Sequence, residues 1–431
     1  MKRKNDEKLP KLVVIGGGFA GLNFVKKINR KKWDVTLVDR NNYHSFPPLF
    51  YQVASSGLDP ASISFPFRNE LYKHAREVKF NMGEVKAIDT VKKTVTTRYE
   101  TLHYDKLVIA AGTTNNFYGI DDLFKNVYTL KSTAESIRCR NDILDRLERA
   151  AIEPDADKRR KLLTFTIIGG GPTGVEIAGA LGEMKRYILK REYARISQDE
   201  VTVNIIEGSD RLLRTMSDKA SQAVLKYIND LMVNVFLGKT MKSYEDNVIT
   251  FTDGTEMYSE MVIWTAGITG ETFKYVGAAP QTAAGARIVV DHYNRAQGVD
   301  DVYALGDISV CFSDEYPRGC PQLAQVAIQQ ARTLAHNLNR NEFNRPFRYK
   351  DKGTMATVGR NRAVCDLKHF HIYGFAAWLT WMFIHLISLL GMRNKITVLT
   401  SWIWSYFTYS SGTRLLLHPT RYPLRHRWGE K

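Results

Sequence analysis

The sequence LVVIGGGFAGL, residues 12–22, combines a short apolar run, closely spaced glycines and the beginning of a helical pattern. Residues 166–176 read TIIGGGPTGVE and repeat the same order of apolar residues, glycines and helical pattern. In the first stretch Gly16, Gly18 and Gly21 follow a G-x-G-x-x-G spacing. The chain therefore carries two copies of one local structure, and its fold class is predicted from them.

The first copy lies within a β–α–β pattern. Residues 12–15 suit a buried parallel strand, and the residues after Gly21 suit an amphipathic helix. The chain then returns through WDVTLVDR (33–40), a second strand with Asp39 at its end. Such a unit binds dinucleotides, because the glycines allow close approach of a pyrophosphate and the helix N-terminus offers free N–H groups. Asp39 is placed to accept a hydrogen bond from a ribose hydroxyl.

The second copy has Gly169, Gly171 and Gly174 in the same spacing and a following strand that ends at Glu207. The separation between Gly174 and Glu207 exceeds the usual distance of about 20 residues. The intervening charged segment, residues 183–200, predicts an extension of the helix.

Glu207 predicts a preference for NADH over NADPH, because a carboxylate that binds a 2′-hydroxyl would repel a 2′-phosphate. Arg211 and Arg214 lie close in sequence and are able to accommodate that phosphate, which leaves NADPH open. Two dinucleotide folds most simply hold two dinucleotides, and FAD with a nicotinamide cofactor is the usual pair. The alternative is a duplicated fold with one inactive site, although both copies keep their glycines and their acid.

The composition of the 431-residue chain is that of a globular protein, with 44% apolar and 25% charged residues. The N-terminus lacks the apolar core of a secretory signal. Four scattered cysteines form no CxxC motif, which predicts reduced thiols and no metal site. The net charge of +16 favours a membrane surface, nucleic acid or phosphate-bearing cofactors, although a solvated basic surface has the same charge.

Three further segments, LVIAAGTTNN (107–116), VIWTAGI (262–268) and VYALGDIS (302–309), resemble the two-dinucleotide flavin disulfide reductase-like superfamily. The resemblance implies that the first and second segments are the closing turns of the FAD and NADH domains. It also implies that the aspartate of the third meets the ribityl or phosphate part of FAD, although that aspartate could equally be a helix N-cap. The implied cofactor-binding residues in these segments are Ala111, Gly112, Ala266, Gly267 and Asp307.

Four more segments narrow the resemblance to type II NADH dehydrogenases, the single-chain NADH:quinone oxidoreductases. They are FPPLFYQVASSGL (46–58), GGGPTGVEIAGAL (169–181), PQLAQVAIQQA (321–331) and GTMATVGRNRAV (353–364). The resemblance extends from about residue 10 to the C-terminus, with Leu323 where the family often has Thr. It implies hydride transfer from NADH to non-covalent FAD and then two-electron reduction of a ubiquinone- or menaquinone-type membrane quinone, without proton pumping.

The resemblance implies three catalytic residues. Glu176 would lie near the flavin and the nicotinamide, although an acid in the first turn also simply complements the helix dipole. Gln325 and Gln329 share one helix face and would line the quinone pocket. The alternative for the two glutamines is a polar helix surface, with Ala324 and Ala327 packing inward.

The C-terminal region changes composition, and IYGFAAWLTWMFIHLISLL (372–390) has no formally charged residue, with His385 as its one histidine. Its length would allow a single membrane span. Its polar residues and central tryptophans favour a helix that lies in the membrane interface. A buried core helix or a dimer-interface helix is a third interpretation. The expected location is the cytoplasmic face of the inner membrane, as a peripheral or monotopic protein on the lipid surface.

These patterns predict an α/β fold with two Rossmann-type domains and a C-terminal helical membrane-binding region. The FAD domain is expected at 9–115 and 280–345, the NADH domain at 116–279 and the membrane-binding region at 346–431. The main alternative is a soluble NADH-dependent reductase of ferredoxin or rubredoxin. No nucleic-acid module is recognisable, so a flavin-containing nucleic-acid-binding protein ranks last. A homodimer is compatible with the sequence, but nothing in it demands one.

Overall fold

A computed structural model of the chain describes residues 8–72, 77–120, 122–367, 370–408 and 412–416. The helices within these ranges are α1 Phe19–Lys27, α2 Phe50–Ala54, α3 Phe67–Glu70, α4 Leu123–Asn126, α5 Thr133–Ile152, α6 Ala156–Leu162, α7 Pro172–Glu183, α8 Leu189–Glu192, α9 Asp218–Asp230, α10 Ala324–Arg340, α11 Gly374–Ser388 and α12 Met392–Thr408. The strands are β1 Lys11–Ile15, β2 Asp34–Asp39, β3 Tyr43–Ser45, β4 Ser64–Pro66, β5 Val78–Met82, β6 Val85–Asp89, β7 Thr94–Thr97, β8 Thr101–His103, β9 Lys106–Ile109, β10 Thr113–Asn115, β11 Tyr128–Thr129, β12 Thr164–Ile168, β13 Thr202–Glu207, β14 Asn234–Leu237, β15 Met241–Glu245, β16 Val248–Phe251, β17 Glu256–Tyr258, β18 Met261–Trp264, β19 Ile268–Gly270, β20 Lys274–Val276, β21 Thr282–Ala283, β22 Arg287–Val290, β23 Val302–Ala304, β24 Ser309–Cys311, β25 Thr354–Thr357, β26 Ala363–Asp366 and β27 His371–Tyr373.

Two parallel five-stranded sheets form the frame of the molecule. The first has the order β23-β9-β1-β2-β5 and the second the order β11-β18-β12-β13-β14. In each sheet the strand before the glycine loop is central, and the strand that ends in the acid lies beside it. Both central strands have a continuous run of buried residues, as strands covered on both faces require. The predicted α/β fold with two Rossmann-type units is confirmed.

The strands of the two large sheets come from separate stretches of the chain. The strands of the first sheet come from residues 11–109 and 302–304, and those of the second from residues 128–264. The short strand β20, expected with the NADH domain, instead pairs in parallel with β6. The antiparallel pair β10–β19 joins the segment that leaves the first unit to the segment that returns from the second. The domain bounds themselves stay predictions.

The helix after the second glycine loop is longer than the first, as its charged sequence predicts. A π-helical segment, Met184–Ile188, connects α7 directly to α8, so the helical run extends from Pro172 to Glu192. The prediction for residues 183–200 was therefore correct only as far as Glu192. The following chain turns at Tyr193 and forms a single 3₁₀ turn at Gln198–Glu200 before β13.

The C-terminal region packs onto both units through specific polar contacts. The buried amide of Asn394 on α12 donates to the Ala61 and Ser62 carbonyls at 3.0 and 2.9 Å. Further along the helix, the indole Nε1 of Trp402 donates to Gln52 Oε1 at 2.8 Å. Helix α12 is therefore fixed to the loop and helix that follow β3.

Arg360 joins the C-terminal region to the second unit. Its backbone N–H donates to Glu183 Oε1 at 2.7 Å, and its guanidinium donates to the Ser405 carbonyl at 2.7 Å. A single residue thus connects the end of α7 to α12, through its backbone on one side and its side chain on the other. No helix in the described part of the chain is both long and apolar enough to cross a membrane.

Candidate functional site

A cavity of about 630 Å³ lies between the two units and the C-terminal region. Its walls come from the first glycine loop, from the beginning of α7, from the loop before α10 and from α11. The residues that line the cavity include Gly16, Gly17, Gly18, Asp39, Arg40, His44, Pro47, Pro48, Phe50, Ala111, Gly112, Thr113, Lys131, Pro172, Thr173, Glu176, Gly267, Glu271, Asp307, Leu323, Ala324, Ala327, Thr354, Met355 and His385. Segments far apart in the sequence therefore share one compartment.

The glycines of the first loop each satisfy a different packing constraint. Gly16 has φ +93°, and a Cβ on it would lie 2.4 Å from the Ala110 carbonyl oxygen. A Cβ on Gly21 would lie 1.8 Å from the Gly16 carbonyl oxygen. Gly18 has no protein atom within 4 Å of its Cβ position, so its open side faces the space where a ligand would approach. The loop thus combines a tight turn, close helix–strand packing and an open backbone.

Asp39 stabilises this loop directly. Its Oδ2 accepts a hydrogen bond from the Gly17 N–H at 2.7 Å, and its Oδ1 accepts one from the Asn41 N–H at 2.8 Å. Burial raises the pKa of Asp39, and the two backbone N–H groups oppose that shift. Asp39 lines the cavity at the end of β2, where the motif predicts a ribose.

The second glycine loop repeats this arrangement. A Cβ on Gly174 would lie 1.8 Å from the Gly169 carbonyl oxygen, and the Cβ position of Gly171 has no protein atom within 4 Å. Glu207 Oε2 accepts from the Gly170 N–H at 2.6 Å, and its Oε1 accepts from the Ser209 N–H at 2.8 Å. The second acid therefore holds its loop as the first does.

The two loops differ in their relation to the cavity. Gly16, Gly18 and Asp39 line it, whereas the second loop reaches it, within the described residues, only through the beginning of α7. That beginning supplies Pro172, Thr173 and Glu176. The cavity is thus lined by the first predicted cofactor loop and by the residues that follow the second.

Of the four residues assigned to the two closing turns, three line the cavity. Ala111 and Gly112 line the cavity beside the first loop, and Gly112 has no protein atom near its Cβ position. Gly267 lines the cavity from the other unit. Ala266 packs against the second loop, since its Cα lies 2.8 Å from the Cβ position of Gly169.

Asp307 lines the cavity opposite Lys131. Burial raises the pKa of Asp307, and Lys131 and Arg287 act in the opposite direction. Burial lowers the pKa of Lys131, while Asp307 raises it, and its Nζ donates to Thr113 Oγ1 at 2.8 Å. Asp307 lies inside the short 3₁₀ turn Gly306–Ile308 and not at its N-cap, which is Leu305.

The residues present fit FAD. The open side of Gly18 lies at the N-terminus of α1, where unpaired N–H groups suit a pyrophosphate. Asp39 and Asp307 supply acceptors for hydroxyl groups, and Lys131 supplies a donor and a positive charge. The same cavity also has apolar lining residues, among them Pro47, Pro48, Phe50, Leu323 and Met355.

The first turn of α7 contains no acidic residue, so the position predicted for Glu176 was wrong: it follows that turn as the fifth residue of the helix and is 7% exposed. Burial raises its pKa well above the usual value for glutamate, and the Thr357 backbone and the Trp381 indole oppose the shift. The indole N–H faces the carboxyl but makes no hydrogen bond within the described residues. Glu176 is therefore a largely desolvated acid at the junction of the two predicted nucleotide sites.

Gln325 and Gln329 lie on α10, but their amides bond to the backbone of residues 350–353 and do not line the cavity. Gln325 accepts from the Lys352 N–H and donates to the Gly353 carbonyl, at 3.0 and 3.1 Å. Gln329 makes the same pair of bonds with the backbone of Lys350, at 3.0 and 2.9 Å. Among the described residues of this helix, the cavity is lined by Ala324 and Ala327 rather than by the two glutamines.

Several polar cavity residues could not be identified from motifs. Lys131 lies outside every quoted motif, and only its position after the short strand β11 brings it to Asp307. His44 lies two residues before the first residue of the tract 46–58, and its Nδ1 donates to the Gly17 carbonyl at 2.8 Å. Arg40 pairs with Glu271 across the cavity mouth at 3.6 Å. His385 is conspicuous in its apolar segment, but the sequence does not reveal that it lines the cavity.

Comparison with known protein families agrees with this geometry. The family model described as pyridine nucleotide-disulphide oxidoreductase matches residues 10–331. A second model, the NDH2 C-terminal domain, matches residues 352–409. Together the two models cover both nucleotide-binding units and the helical C-terminal region.

Individual relatives extend over nearly the whole chain. A type II NADH:quinone oxidoreductase of Mycobacterium tuberculosis is 33% identical over 93% of this chain and 89% of its own length. The mitochondrial internal alternative NAD(P)H-ubiquinone oxidoreductase A1 of Arabidopsis thaliana is 28% identical over 94% of this chain and 85% of its own. The structure of NDH2 from Plasmodium falciparum in complex with NADH superposes with a TM-score of 0.87 at 21% identity, covering 95% of this chain and all of that one.

The different constraints on Gly171 and Gly174 give a matched pair of variants. Gly174→Ala is expected to lower the free energy of unfolding by about 1–3 kcal/mol, because its Cβ would overlap the Gly169 carbonyl. Gly171→Ala is expected to keep the wild-type Tm and to raise the KM for NADH by roughly 10-fold, because its Cβ enters the ligand space. Thermal melts and steady-state kinetics measure both effects. The opposite pattern, with Gly171→Ala unfolding and Gly174→Ala stable, would contradict the assignment.

Proposed function

The chain belongs to the type II NADH:quinone oxidoreductases of the pyridine nucleotide-disulphide oxidoreductase family, and we propose that it oxidises NADH and reduces a membrane quinone without pumping protons. The observation that carries the proposal is the shared cavity. One compartment is lined by a complete dinucleotide loop, by the acid at the beginning of the second unit and by a helix with an exposed apolar face.

FAD, when bound, supplies the acceptor for the hydride of NADH and the donor of two electrons to the quinone. The chain contributes binding, orientation and exclusion of water. The first glycine loop, with Asp39 and Asp307, would hold FAD non-covalently along the polar part of the cavity. Glu176 would lie beside the flavin and the nicotinamide, where its buried side chain helps to exclude water from the contact between the two rings.

The second loop would hold NADH through Gly171 and Glu207. Arg211, which could otherwise accept a 2′-phosphate, forms an ion pair with Asp218 and donates to the Arg214 carbonyl at 3.3 Å. The acid thus faces the nucleotide site while the adjacent guanidinium is engaged within the protein. This arrangement supports NADH as the preferred substrate.

The quinone would enter at the apolar end of the cavity, where Pro47, Phe50, Leu323 and Met355 surround the expected flavin ring. The family resemblance assigns the quinone contacts to Gln325 and Gln329, and that assignment stays a prediction. Their amides hold residues 350–353 against α10. The two glutamines could therefore act by positioning that segment.

Membrane association is proposed from the surfaces of α11 and α12. Large apolar side chains are exposed along both helices, which is unusual for a soluble surface unless it binds another apolar phase. They are Phe375, Leu379, Phe383, Ile384, Ile387, Met392, Ile396, Leu399, Ile403, Trp404 and Phe407. The net charge of +16 favours the anionic cytoplasmic leaflet of the inner membrane. A homodimer is compatible with this placement and is not required by it.

The function is tested with purified protein reconstituted with FAD. The expected result is oxidation of NADH that depends on an added short-chain quinone, with stoichiometric formation of quinol. In sealed vesicles the reaction is expected to generate no proton gradient. A reductase that turned over only with ferredoxin or rubredoxin would contradict the proposal.

Glu207→Gln is expected to reduce the preference for NADH over NADPH. The change removes the negative charge that repels a 2′-phosphate, so the ratio of kcat/KM for NADH to that for NADPH should fall by roughly 10-fold. Glu245→Gln, at a position on β15 outside the nucleotide site, serves as the charge-matched control. Equal use of NADH and NADPH by the wild-type protein would contradict the role given to Glu207.

Membrane association is tested with the double variant Phe383→Glu, Trp404→Glu. Both side chains are 64% exposed, so the change should leave the Tm unaltered. Binding to phosphatidylcholine–phosphatidylglycerol vesicles should weaken by at least about 10-fold, because two apolar side chains lose their contact with lipid. Phe124→Glu, another exposed aromatic position, is the control. If the double variant bound vesicles as well as the wild type, the exposed face of α11 and α12 would be excluded as the membrane-binding surface.

A further inference from the structure

His385 occupies an unusual position in α11. Its neighbours Phe383, Ile384 and Ile387 are exposed on the outside of the helix. Its own imidazole lies on the inside and lines the same cavity as Glu176. Helix α11 therefore has apolar side chains exposed on its outer face and the His385 imidazole in the cavity on its inner face.

Contacts with two aromatic rings fix the imidazole ring. It stacks on Trp381 with ring centroids 4.0 Å apart and an interplanar angle of 24°. It also meets the Phe46 ring edge to face, at 6.2 Å. Phe46 is the first residue of the segment 46–58 that carries the family resemblance. The imidazole is therefore held on two sides by aromatic rings.

Hydrogen bonding determines which ring nitrogen carries the proton. Nδ1 of His385 lies 2.7 Å from the Trp381 carbonyl oxygen. A carbonyl oxygen can only accept, so Nδ1 is the protonated nitrogen. Burial lowers the pKa of His385 to about 4, which keeps the ring neutral at physiological pH. Nε2 then carries a lone pair and no hydrogen, and it is a hydrogen-bond acceptor.

We propose that Nε2 of His385 accepts a hydrogen bond from a hydroxyl group of the quinol, and so favours the reduced form of the substrate in the cavity. The proposal rests on the proposed function. The oxygens of an oxidised quinone only accept hydrogen bonds, so they find no partner in Nε2. A hydroxyl group exists only after reduction, when NADH, one proton and the quinone have become NAD⁺ and the quinol. His385 gains and loses no proton in this reaction.

This contact would bind the reduced quinol ring more tightly than the oxidised quinone ring. A group that interacts with the reduced ring but not with the oxidised ring stabilises the species that forms during the reaction. Its removal should therefore affect the affinity for quinol more than the KM for quinone. The exposed apolar residues beside His385 favour a lipid-derived ring as the partner, because that ring would arrive from the same side.

The experiment compares three variants of the FAD-loaded protein. His385→Leu removes the acceptor and keeps an apolar side chain of suitable size. His385→Gln restores an acceptor oxygen. Ser388→Ala is the control on the same helix, because the Ser388 hydroxyl is exposed and donates only to the Ile384 carbonyl. For each protein, isothermal titration gives the Kd of a short-chain ubiquinol and of its oxidised form, and stopped flow gives the rate of flavin reduction by NADH.

His385→Leu is expected to weaken quinol binding by about threefold to tenfold, the range for one neutral hydrogen bond, and to change quinone binding by less than twofold. His385→Gln should recover most of the loss, and Ser388→Ala should match the wild type. Equal effects on quinol and quinone would reduce the role of His385 to packing and overturn the proposal. An altered rate of flavin reduction with unchanged quinol binding would also overturn it, because His385 would then act on the flavin.

The two proposals can fail separately. If the wild-type protein does not reduce a quinone with NADH, the proposed function fails whatever the titrations give. If the wild-type protein reduces the quinone but His385→Leu binds quinol normally, only the role of His385 fails. A thermal melt of each variant excludes loss of binding through unfolding.

Discussion

The close approach of helix and strand in the two glycine loops is the constraint on which the rest of the structure depends. In each loop the third glycine lies against the carbonyl of the first, at a distance that no side chain could share. This contact directs the helix N-terminus at the edge of the sheet, where its free N–H groups can meet a phosphate. An acid from the next strand then fixes the loop by accepting a backbone N–H, Asp39 in one unit and Glu207 in the other. Both nucleotide sites follow from this one piece of geometry.

The sequence was sufficient for the features that depend on local pattern. The two β–α–β units and their acids follow from glycine spacing and buried apolar runs, which constrain the backbone within about 30 residues. The closing turns at Gly112 and Gly267 were implied only by the family resemblance. The prediction failed where the outcome depends on distant contacts. The extra helix ends at Glu192 although its charged pattern continues, and β20 joins the opposite unit because β6 offers it an edge.

The cavity wall shows the same limit more clearly. Lys131 and His385 carry no motif, and their place in the site is decided by the packing of β11 and α11 onto other elements. For Gln325 and Gln329 the sequence spacing correctly predicts that they share a helix face. It does not predict which segment their amides contact. Their amides pair with the backbone of residues 350–353, which no periodicity reveals.

Helix α11 supplies a wall of the cofactor compartment although it lies near the end of the chain, while the first glycine loop lies near the beginning. During synthesis the first Rossmann unit also lacks β23 until residues 302–304 have left the ribosome. The compartment is thus complete only after the second unit, β23 and α11 have all been synthesised. Stable capture of the cofactor is therefore a late event in biogenesis, and a chain truncated before α11 would present an open groove in place of an enclosed site.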